Sequence, residues 1–444
     1  MQSVEQSYEI AIIGAGISGT ALLHSLSNYT NVNKIALIEK NAGVALVNSH
    51  RTNNSQTLHF GDIETNYTLD KAEKVNRSAS MVKHYLLRHD LCQEIYSRYH
   101  KMVLAVGPEQ ATKLRERYQE FKTLFPELRL IDKKEIEQFE PKVLKGRDTS
   151  EEIIALFTEE GYTIDFQKLA ESFLKNSIKD KDKSIDLMMN TKVKEIKHEG
   201  DSYLIKTNKS TLKAKAVAVT SGAHSLLFAK SLSYGKEYAL LSVAGSFYFA
   251  PAVLNGKVYT VQRKKLPFAA IHGDPEVHDP SCTRFGPTAK VLPMLERHDY
   301  ATVYEYFKTA GLSLDAFKSF FSILSDGVIL KYILTNFIYD IPFIGKRLFI
   351  NEVKKIIPLI QLGDLQFARG YGGIRPQIVN LKTKKLELGE AKILGKNILF
   401  NITPSPGAST CLQNAEDDTE RLVACLGEAY RFDKKKFLAD LGLG

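Results

Sequence analysis

A glycine-rich turn near the start of the chain most constrains what this sequence can fold into. An apolar run, Glu9–Ile13, leads into Gly14, Gly16 and Gly19, and a helix-forming segment follows. The first glycine permits a tight turn, the second lets backbone N–H groups approach a diphosphate, and the third lets helix and strand pack closely. Lys34–Glu39 reads as a second strand whose final acid suits ribose hydroxyls. The pattern predicts a dinucleotide-binding unit, and the alternative is a glycine-rich turn in an ordinary βαβ unit.

The length and the patterning that follow predict more than one domain. A chain of 444 residues is long for a single small core. Leu69–Leu144 has a charged, helical pattern, and Ala239–Pro293 has mostly strand-like runs. We therefore expect an α/β protein with a discontinuous Rossmann-type domain, a helical insertion and a mixed-sheet substrate domain. The predicted limits are 1–70, 150–238 and 358–444 for the dinucleotide domain, 71–149 for the helical insertion and 239–357 for the substrate domain.

Charge and cysteine usage exclude several classes. The net charge is +9, but lysines and arginines alternate with acids and no nucleic-acid-binding motif accompanies them, so no nucleic acid partner is expected. Four cysteines without paired spacing indicate neither a metal site nor a disulfide framework. The short polar lead before the first strand leaves no room for a cleavable signal peptide, which predicts a cytoplasmic-side protein.

One apolar segment suggests a membrane surface. Leu314–Ile357 is rich in aromatic and aliphatic residues, and Phe317, Phe320, Phe321 and Leu324 share one helical face with basic residues downstream. Its uncharged stretches are too short to span a bilayer. An apolar face with basic flanks can lie on a membrane surface, and the alternative is a helix packed into the second domain.

Polar and glycine-rich motifs mark the candidate site. The donor-rich run His50–His59 follows the second strand and should lie near the nucleotide, unless it is a plain surface loop. Arg369–Gln377 is glycine-rich, and Pro404–Thr410 opens a helix predicted from about Cys411. A second helix N-terminus would help to hold one long anionic cofactor. Because no second G-x-G-x-x-G occurs, we expect one dinucleotide and no separate nicotinamide domain.

Taken together, these motifs resemble the malate:quinone oxidoreductases of the D-amino-acid-oxidase-like FAD superfamily. The resemblance covers nearly the whole chain and is strongest to the shorter epsilonproteobacterial members. Where the family has Asn-Asn-Ala-Gly-Thr-Gly-His-Ser, this chain has Asn53–Phe60 without either glycine. The shared motifs are Gly14–Gly19, Asn53-Asn54 with Thr57, His59, Glu64 and Asn66–Thr68, Ala155–Glu159 with Asp165-Phe166, Phe285–Pro287, and Ser405–Thr410.

The resemblance implies a flavoenzyme that oxidises (S)-malate to oxaloacetate. Hydride would pass to flavin N5, and electrons would pass on to a membrane quinone at the inner face of the cytoplasmic membrane. The rivals are L-2-hydroxyglutarate or another 2-hydroxy or amino acid as substrate, or a non-catalytic dinucleotide-binding regulatory protein. The polar run at 50–59 argues against the regulatory protein, because a protein without catalysis does not need so many hydrogen-bond donors near the flavin ring.

Such chemistry needs a base and carboxylate clamps. A histidine suits the base because a free imidazole titrates near working pH; His272, on a predicted polar turn, is the first choice and His59 the second. Arg375, and less strongly Arg284, which is also predicted on a polar turn, suit bidentate pairing with a dicarboxylate, although all four could be structural. The predicted cofactor contacts are Gly14, Gly16, Ser18, Gly19, Glu39, Asn54, Thr57, Val193, Gly222, Gly407, Ala408, Ser409 and Thr410.

Overall fold

The structure is a computed structural model that describes residues 6–179, 182–262, 271–310, 325, 327–341, 343–387, 391–402 and 406–444. Its helices are α1 (Ile17–Tyr29), α2 (Leu69–His89), α3 (Pro108–Phe121), α4 (Lys133–Phe139), α5 (Pro141–Leu144), α6 (Phe166–Ser177), α7 (His224–Ser231), α8 (Thr302–Ala310), α9 (Gly327–Tyr339), α10 (Ile344–Val353), α11 (Cys411–Leu426) and α12 (Lys434–Asp440). Its strands are β1 (Gln6–Ile13), β2 (Lys34–Ile38), β3 (Tyr96–Val106), β4 (Arg129–Ile131), β5 (Ile153–Ile164), β6 (Ser184–Met188), β7 (Val193–Glu199), β8 (Ser202–Thr207), β9 (Thr211–Val219), β10 (Tyr238–Ala244), β11 (Tyr248–Pro251), β12 (Lys257–Thr260), β13 (His272–Glu276), β14 (Asp279–Gly286), β15 (Lys290–Val291), β16 (Gln366–Phe367), β17 (Ile374–Asn380), β18 (Lys385–Glu387), β19 (Ala391–Gly395) and β20 (Ile398–Ile402).

The first sheet is the dinucleotide-binding sheet. Its main order is β19-β20-β9-β1-β2-β6, with β7 and β8 continuing from β9. Strand β1 lies parallel to both β2 and β9. Helices α1, α6 and α11 cover the face that carries Ile10 and Ile12, whereas Ala11 and Ile13 pack into a second apolar cluster on the other face. Its strands come from the start, the middle and the end of the chain. The predicted discontinuous Rossmann-type arrangement is therefore confirmed, while the residue limits of the domains stay a prediction.

Two further sheets form the other half of the molecule. One has the order β16-β11-β14-β13-β12-β3-β5-β4, and the smaller one has the order β15-β10-β17-β18. The larger sheet is mixed as predicted, because β3 and β12 pair in parallel while its other pairs are antiparallel. The strand pairs of the smaller sheet are antiparallel. The larger sheet presents the face that carries His272, Asp274 and Arg284.

The segment 71–149 is not helical throughout, and here the helical pattern was misleading. It contains α3, α4 and α5, but also β3 and β4, which belong to the larger substrate sheet. Met102–Ala105 of β3 are buried because the strand lies between β5 and β12. Charged helices on both sides of β3 hid this strand from a periodicity argument.

Within the described ranges, no helix combines the length and the apolar character needed to cross a bilayer.

Candidate active site

One large cleft opens where the carboxyl ends of β1, β2 and β9 meet the substrate sheets. Its empty volume is about 1820 Å³, including the part that is open to solvent. Residues from both ends of the chain line it, from Gly14 to Ser409. In open α/β sheets, ligands bind at this edge, where the strands end. The dimensions and the position suit a dinucleotide.

The β1–α1 turn has the shape that the glycine pattern predicted. Gly14 has φ +105°, and a Cβ there would lie 2.8 Å from the carbonyl oxygen of Thr220. A Cβ on Gly19 would lie 1.9 Å from the carbonyl oxygen of Gly14, so helix and strand approach as closely as glycine allows. Gly16 caps α1 without a side-chain hydrogen bond, and a Cβ there would have only Ser49 Oγ, at 3.5 Å, within 4 Å among the described residues. This cradle fits a diphosphate at a helix N-terminus.

Glu39 follows the end of β2 at the wall of the cleft. Its Oε2 accepts a hydrogen bond from the backbone N–H of Ala15 at 2.9 Å, and its Oε1 accepts one from that of Asn41 at 2.9 Å. The carboxylate is 8% exposed. It is thus fixed beside the glycine turn, where a ribose hydroxyl would reach it.

The C-terminal motif lines the same cleft as the β1–α1 turn. Gly407, Ala408 and Ser409 precede α11, which begins at Cys411 as predicted; residues 403–405 lie outside the described residues. Ser409 Oγ accepts a hydrogen bond from the backbone N–H of His59 at 3.0 Å. The end of the chain therefore holds the polar loop at residues 50–59 in place.

Most predicted cofactor residues line the cleft. Gly19 packs behind the turn, and Thr410 caps α11, where its Oγ1 accepts a hydrogen bond from Asn414 Nδ2 at 3.2 Å. Gly19 and Thr410 do not belong to the lining. The predicted cofactor residues that line the cleft are Gly14, Gly16, Ser18, Glu39, Asn54, Thr57, Val193, Gly222, Gly407, Ala408 and Ser409.

The two candidate histidines occupy different places. His59 lines the cleft, and its Nδ1 lies 2.6 Å from Glu64 Oε1. His272 does not line the cleft; it stacks on Tyr259 with ring centroids 4.7 Å apart, and its Nε2 lies 3.1 Å from Asp274 Oδ2. The prediction that His272 lies on a polar turn is wrong, because it begins strand β13. Its polar neighbours belong to a buried sheet face.

The two candidate arginines also lie on strands. Arg375 of β17 lines the cleft, and a Cβ on neighbouring Gly245 would lie 3.1 Å from its Nη2. Arg284, predicted on a turn, lies on β14 opposite Asp274 and is fully buried. Burial lowers the pKa of both guanidinium groups from the ordinary value.

Arg284 has an incomplete set of partners. Its Nη1 donates to the carbonyl oxygen of Asn54 at 3.3 Å, and its guanidinium carbon lies 4.6 Å from the ring centroid of Phe247. Its Nε and Nη2 have no hydrogen-bond partner among the described residues. These two atoms form the side of the guanidinium that pairs with a carboxylate in bidentate fashion.

A buried lysine escaped the sequence argument. Lys257 is fully buried at the start of β12; its Nζ donates to Thr57 Oγ1 at 3.1 Å and lies 3.6 Å from Asp274 Oδ1. Burial lowers the pKa of Lys257 to about 8. Burial alone would raise the pKa of Asp274, but the charges of Lys257 and His272 hold it well below its ordinary value. In the sequence, a lysine at the start of a strand looks the same whether its side chain is buried or exposed to solvent. The sequence therefore carried no signal for the contact between Lys257 and Asp274.

Comparison with known proteins identifies the family. The family model described as malate:quinone oxidoreductase matches residues 6–423. The chain is 42% identical to a probable malate:quinone oxidoreductase of Campylobacter jejuni, over 98% of this chain and 99% of that one. It is 41% identical to the malate:quinone oxidoreductase of Helicobacter pylori strain J99, over 99% and 98% of the two chains.

This chain belongs to the malate:quinone oxidoreductase family. The family predicted from the motifs is confirmed. Solved structures agree on the fold. The FAD-bound L-α-glycerophosphate oxidase of Mycoplasma pneumoniae superposes with a TM-score of 0.64 at 15% identity, covering 96% of each chain. The glycine oxidase of Geobacillus kaustophilus gives a TM-score of 0.64 at 15% identity, covering 97% of this chain and 98% of that one.

Proposed function

We propose that this protein is an FAD-dependent enzyme that oxidises (S)-malate to oxaloacetate and passes the electrons to quinone. The observation that carries the proposal is the full-length family match of a chain whose cleft joins a dinucleotide cradle to a buried, arginine-bearing sheet face. FAD is the cofactor. When bound, its flavin supplies an acceptor at N5 for the hydride that leaves C2 of the substrate.

The chain's own residues divide the work of holding the cofactor. The N-terminus of α1 at Gly16 would hold the diphosphate, and Glu39 would accept hydrogen bonds from the ribose hydroxyls. The turn at 407–409 and the side chains of Asn54 and Thr57 line the same cleft and would contact the rest of the cofactor. The hydrogen bond from His59 N–H to Ser409 Oγ joins the turn at 407–409 to the polar loop at residues 50–59.

His59 is the base in this proposal, ahead of His272. A base must come within hydrogen-bond reach of the hydroxyl proton, and His59 lines the cleft whereas His272 does not. His59 Nδ1 is engaged by Glu64, so Nε2 is the nitrogen that takes the proton. His272 instead lies outside the lining, with its Nε2 3.1 Å from Asp274 Oδ2.

Arg375 and Arg284 hold the two carboxylates of malate. Arg375 lines the cleft directly. Arg284 does not line the cleft; its guanidinium lies against Phe247 and Asn54, which do, and a carboxylate that reached past these two residues would satisfy its buried Nε and Nη2 donors. Arg375→Gln should raise KM for malate at least tenfold with FAD content unchanged. The control is Arg369→Gln, since Arg369 is exposed and outside the lining; an unchanged KM in Arg375→Gln contradicts the assignment.

The test of the function is an anaerobic absorbance titration of the purified protein. Malate should bleach the flavin bands, and a quinone analogue should restore them. A flavin that ignores malate but is bleached by 2-hydroxyglutarate or an amino acid keeps the fold and changes the substrate. Absence of any flavin contradicts the proposal at the cofactor.

The surface formed by α9 and α10 is the membrane-docking surface in this proposal, which places the enzyme at the inner face of the cytoplasmic membrane. Exposed cations, Lys331, Arg347 and Lys354, accompany its apolar residues, and this combination suits an anionic bilayer surface. The aromatic residues predicted for this role at 317–324 lie outside the described residues. The exposed apolar residues of this docking face are Leu330, Leu334, Phe337, Ile341, Phe343, Ile344 and Leu348.

Sedimentation with vesicles tests this surface. The wild-type protein should bind vesicles containing phosphatidylglycerol more strongly than neutral ones, and Phe343→Ser should weaken that binding because Phe343 is 87% exposed. Leu91→Ser is the matched control, since Leu91 is 84% exposed in the connection between α2 and β3. Equal binding by all three proteins contradicts the assignment of this face.

A further inference from the structure

The proposed base has a buried carboxylate behind it. His59 Nδ1 lies 2.6 Å from Glu64 Oε1, and Glu64 is 7% exposed. Glu64 follows His59 by five residues on the loop that leads to α2. Neither the cofactor cradle nor the carboxylate clamps use this residue.

The geometry fixes which nitrogen of His59 carries a proton. Burial alone would raise the pKa of Glu64, but the hydrogen bond with His59 and the charge of Lys101 hold it below the ordinary value. An ionised carboxylate only accepts hydrogen bonds. The Nδ1–H of His59 therefore donates to Glu64, and the lone pair of the ring lies on Nε2.

Other contacts hold Glu64 itself in place. Arg117 Nη2 donates to the backbone carbonyl oxygen of Glu64 at 2.6 Å, and the N–H of Tyr67 donates to the same oxygen at 3.2 Å. These contacts fix the loop, so the carboxylate has a defined direction. The charged and titratable groups around the pair are Asp62, Tyr67, Lys71, Lys101, Arg117 and Tyr259.

A second buried histidine–carboxylate pair shows what a structural carboxylate looks like in this protein. Glu140 accepts from His100 Nε2 at 2.9 Å and also from the backbone N–H groups of Asn255 and Gly256. Both of its oxygens are therefore satisfied. In Glu64 only one carboxylate oxygen is satisfied: Oε1 is bonded to His59 Nδ1, whereas Oε2 has no hydrogen-bond partner in the described part of the chain.

We propose that Glu64 is a positioning residue, which holds His59 as the Nδ1–H tautomer with Nε2 directed at the substrate hydroxyl. The inference rests on the proposed function for its catalytic consequence. The proton leaves the hydroxyl for Nε2 while the hydride leaves C2, and Glu64 stays ionised throughout. Its charge stabilises the imidazolium that forms.

The test replaces the charge while keeping the shape. Glu64→Gln should lower kcat for malate per bound flavin at least tenfold and leave KM within about twofold, since general base catalysis contributes about 10²–10⁴-fold. Glu140→Gln is the matched control, and its kcat per flavin should equal that of the wild type. The double variant Glu64→Gln/His59→Gln should be no slower than His59→Gln alone, because residues that act as a unit are not additive.

A second readout does not depend on turnover. Nitrogen-15 spectra of histidine-labelled protein, with the His59 signals identified from His59→Gln, should show the Nδ1–H tautomer in the wild type and a mixture of tautomers in Glu64→Gln. An unchanged kcat in Glu64→Gln, additive losses in the double variant, or unchanged tautomer signals would each overturn the proposal. If malate fails to bleach the wild-type flavin, the proposed function fails, and the tautomer spectra still decide the role of Glu64.

Discussion

Alanine substitutions at three glycines separate cofactor binding from folding. At Gly19 the new methyl group would lie 1.9 Å from the Gly14 carbonyl oxygen and 2.7 Å from Thr220 Oγ1, so backbone must move. Overpacking of this kind costs about 1–3 kcal/mol of folding free energy, and it should disturb the cradle as well. At Gly16 the nearest described atom, Ser49 Oγ, is 3.5 Å away, so the apoprotein accommodates the methyl group. The methyl would instead occupy space needed by the diphosphate.

The assay compares thermal unfolding of the apoproteins with FAD affinity measured by fluorescence titration. Gly16→Ala should keep the unfolding temperature within about 2 °C but weaken FAD binding at least tenfold, equivalent to about 1.4 kcal/mol. Gly19→Ala should lower both the unfolding temperature and the affinity for FAD. Gly363→Ala is the control, because no described atom lies within 4 Å of its added Cβ. A Gly16→Ala protein that binds FAD as tightly as the wild type would refute the placement of the diphosphate.

Three further predictions follow from buried polar residues. Gln56 has φ +55° at a position where the family has glycine, and its side chain forms hydrogen bonds with Arg51, Glu276 and Val277. Gln56→Ala should therefore lower the free energy of unfolding, measured in urea, by about 2–3 kcal/mol. Gln56→Gly should lower it by less, because glycine adopts a positive φ without strain. The pKa of Lys257 is about 8 in the folded state and about 10.4 when unfolded, so this group should raise wild-type stability by about 3 kcal/mol as the pH rises from about 8 to about 10.4 and should give no pH dependence below 8. Lys257→Met should lack this rise in pH-dependent unfolding, and an identical pH profile would contradict the assignment. Arg284→Lys keeps the charge but loses the fork, and steady-state kinetics should show KM for malate raised at least tenfold with normal flavin content.

Local features of the fold could be predicted from the sequence because local chemistry determines them. Helix α6 begins at Phe166 because Asp165 caps it by accepting hydrogen bonds from the N–H groups of Gln167 and Lys168, a signal that is local in the sequence. The glycine turn likewise follows from the residues within it. Strand β3 was missed because its burial depends on neighbours that are distant along the chain.

The substrate side of the site was harder to predict for the same reason. Polarity suggested turns at His272 and Arg284, yet both lie on a sheet face where charges neutralise one another. The contact of Lys257 with Thr57 joins residues 200 positions apart, so no spacing in the sequence indicates it. The preference for His59 over His272 likewise needed the three-dimensional position of the cleft.

The contribution of the chain's last strands to the first sheet has a consequence for biosynthesis. Strand β20 pairs with Val217–Val219 of β9, and the turn that closes the cleft directly precedes α11, so a ribosome-bound chain lacks one part of the flavin site until β20 and α11 have been synthesised. Until then this part of β9 and the side of α1 that packs on α11 stay uncovered, and such surfaces favour aggregation. Cofactor capture therefore has to follow the synthesis of these elements, and flavin shortage should appear as lost solubility of newly made protein before it appears as lost turnover.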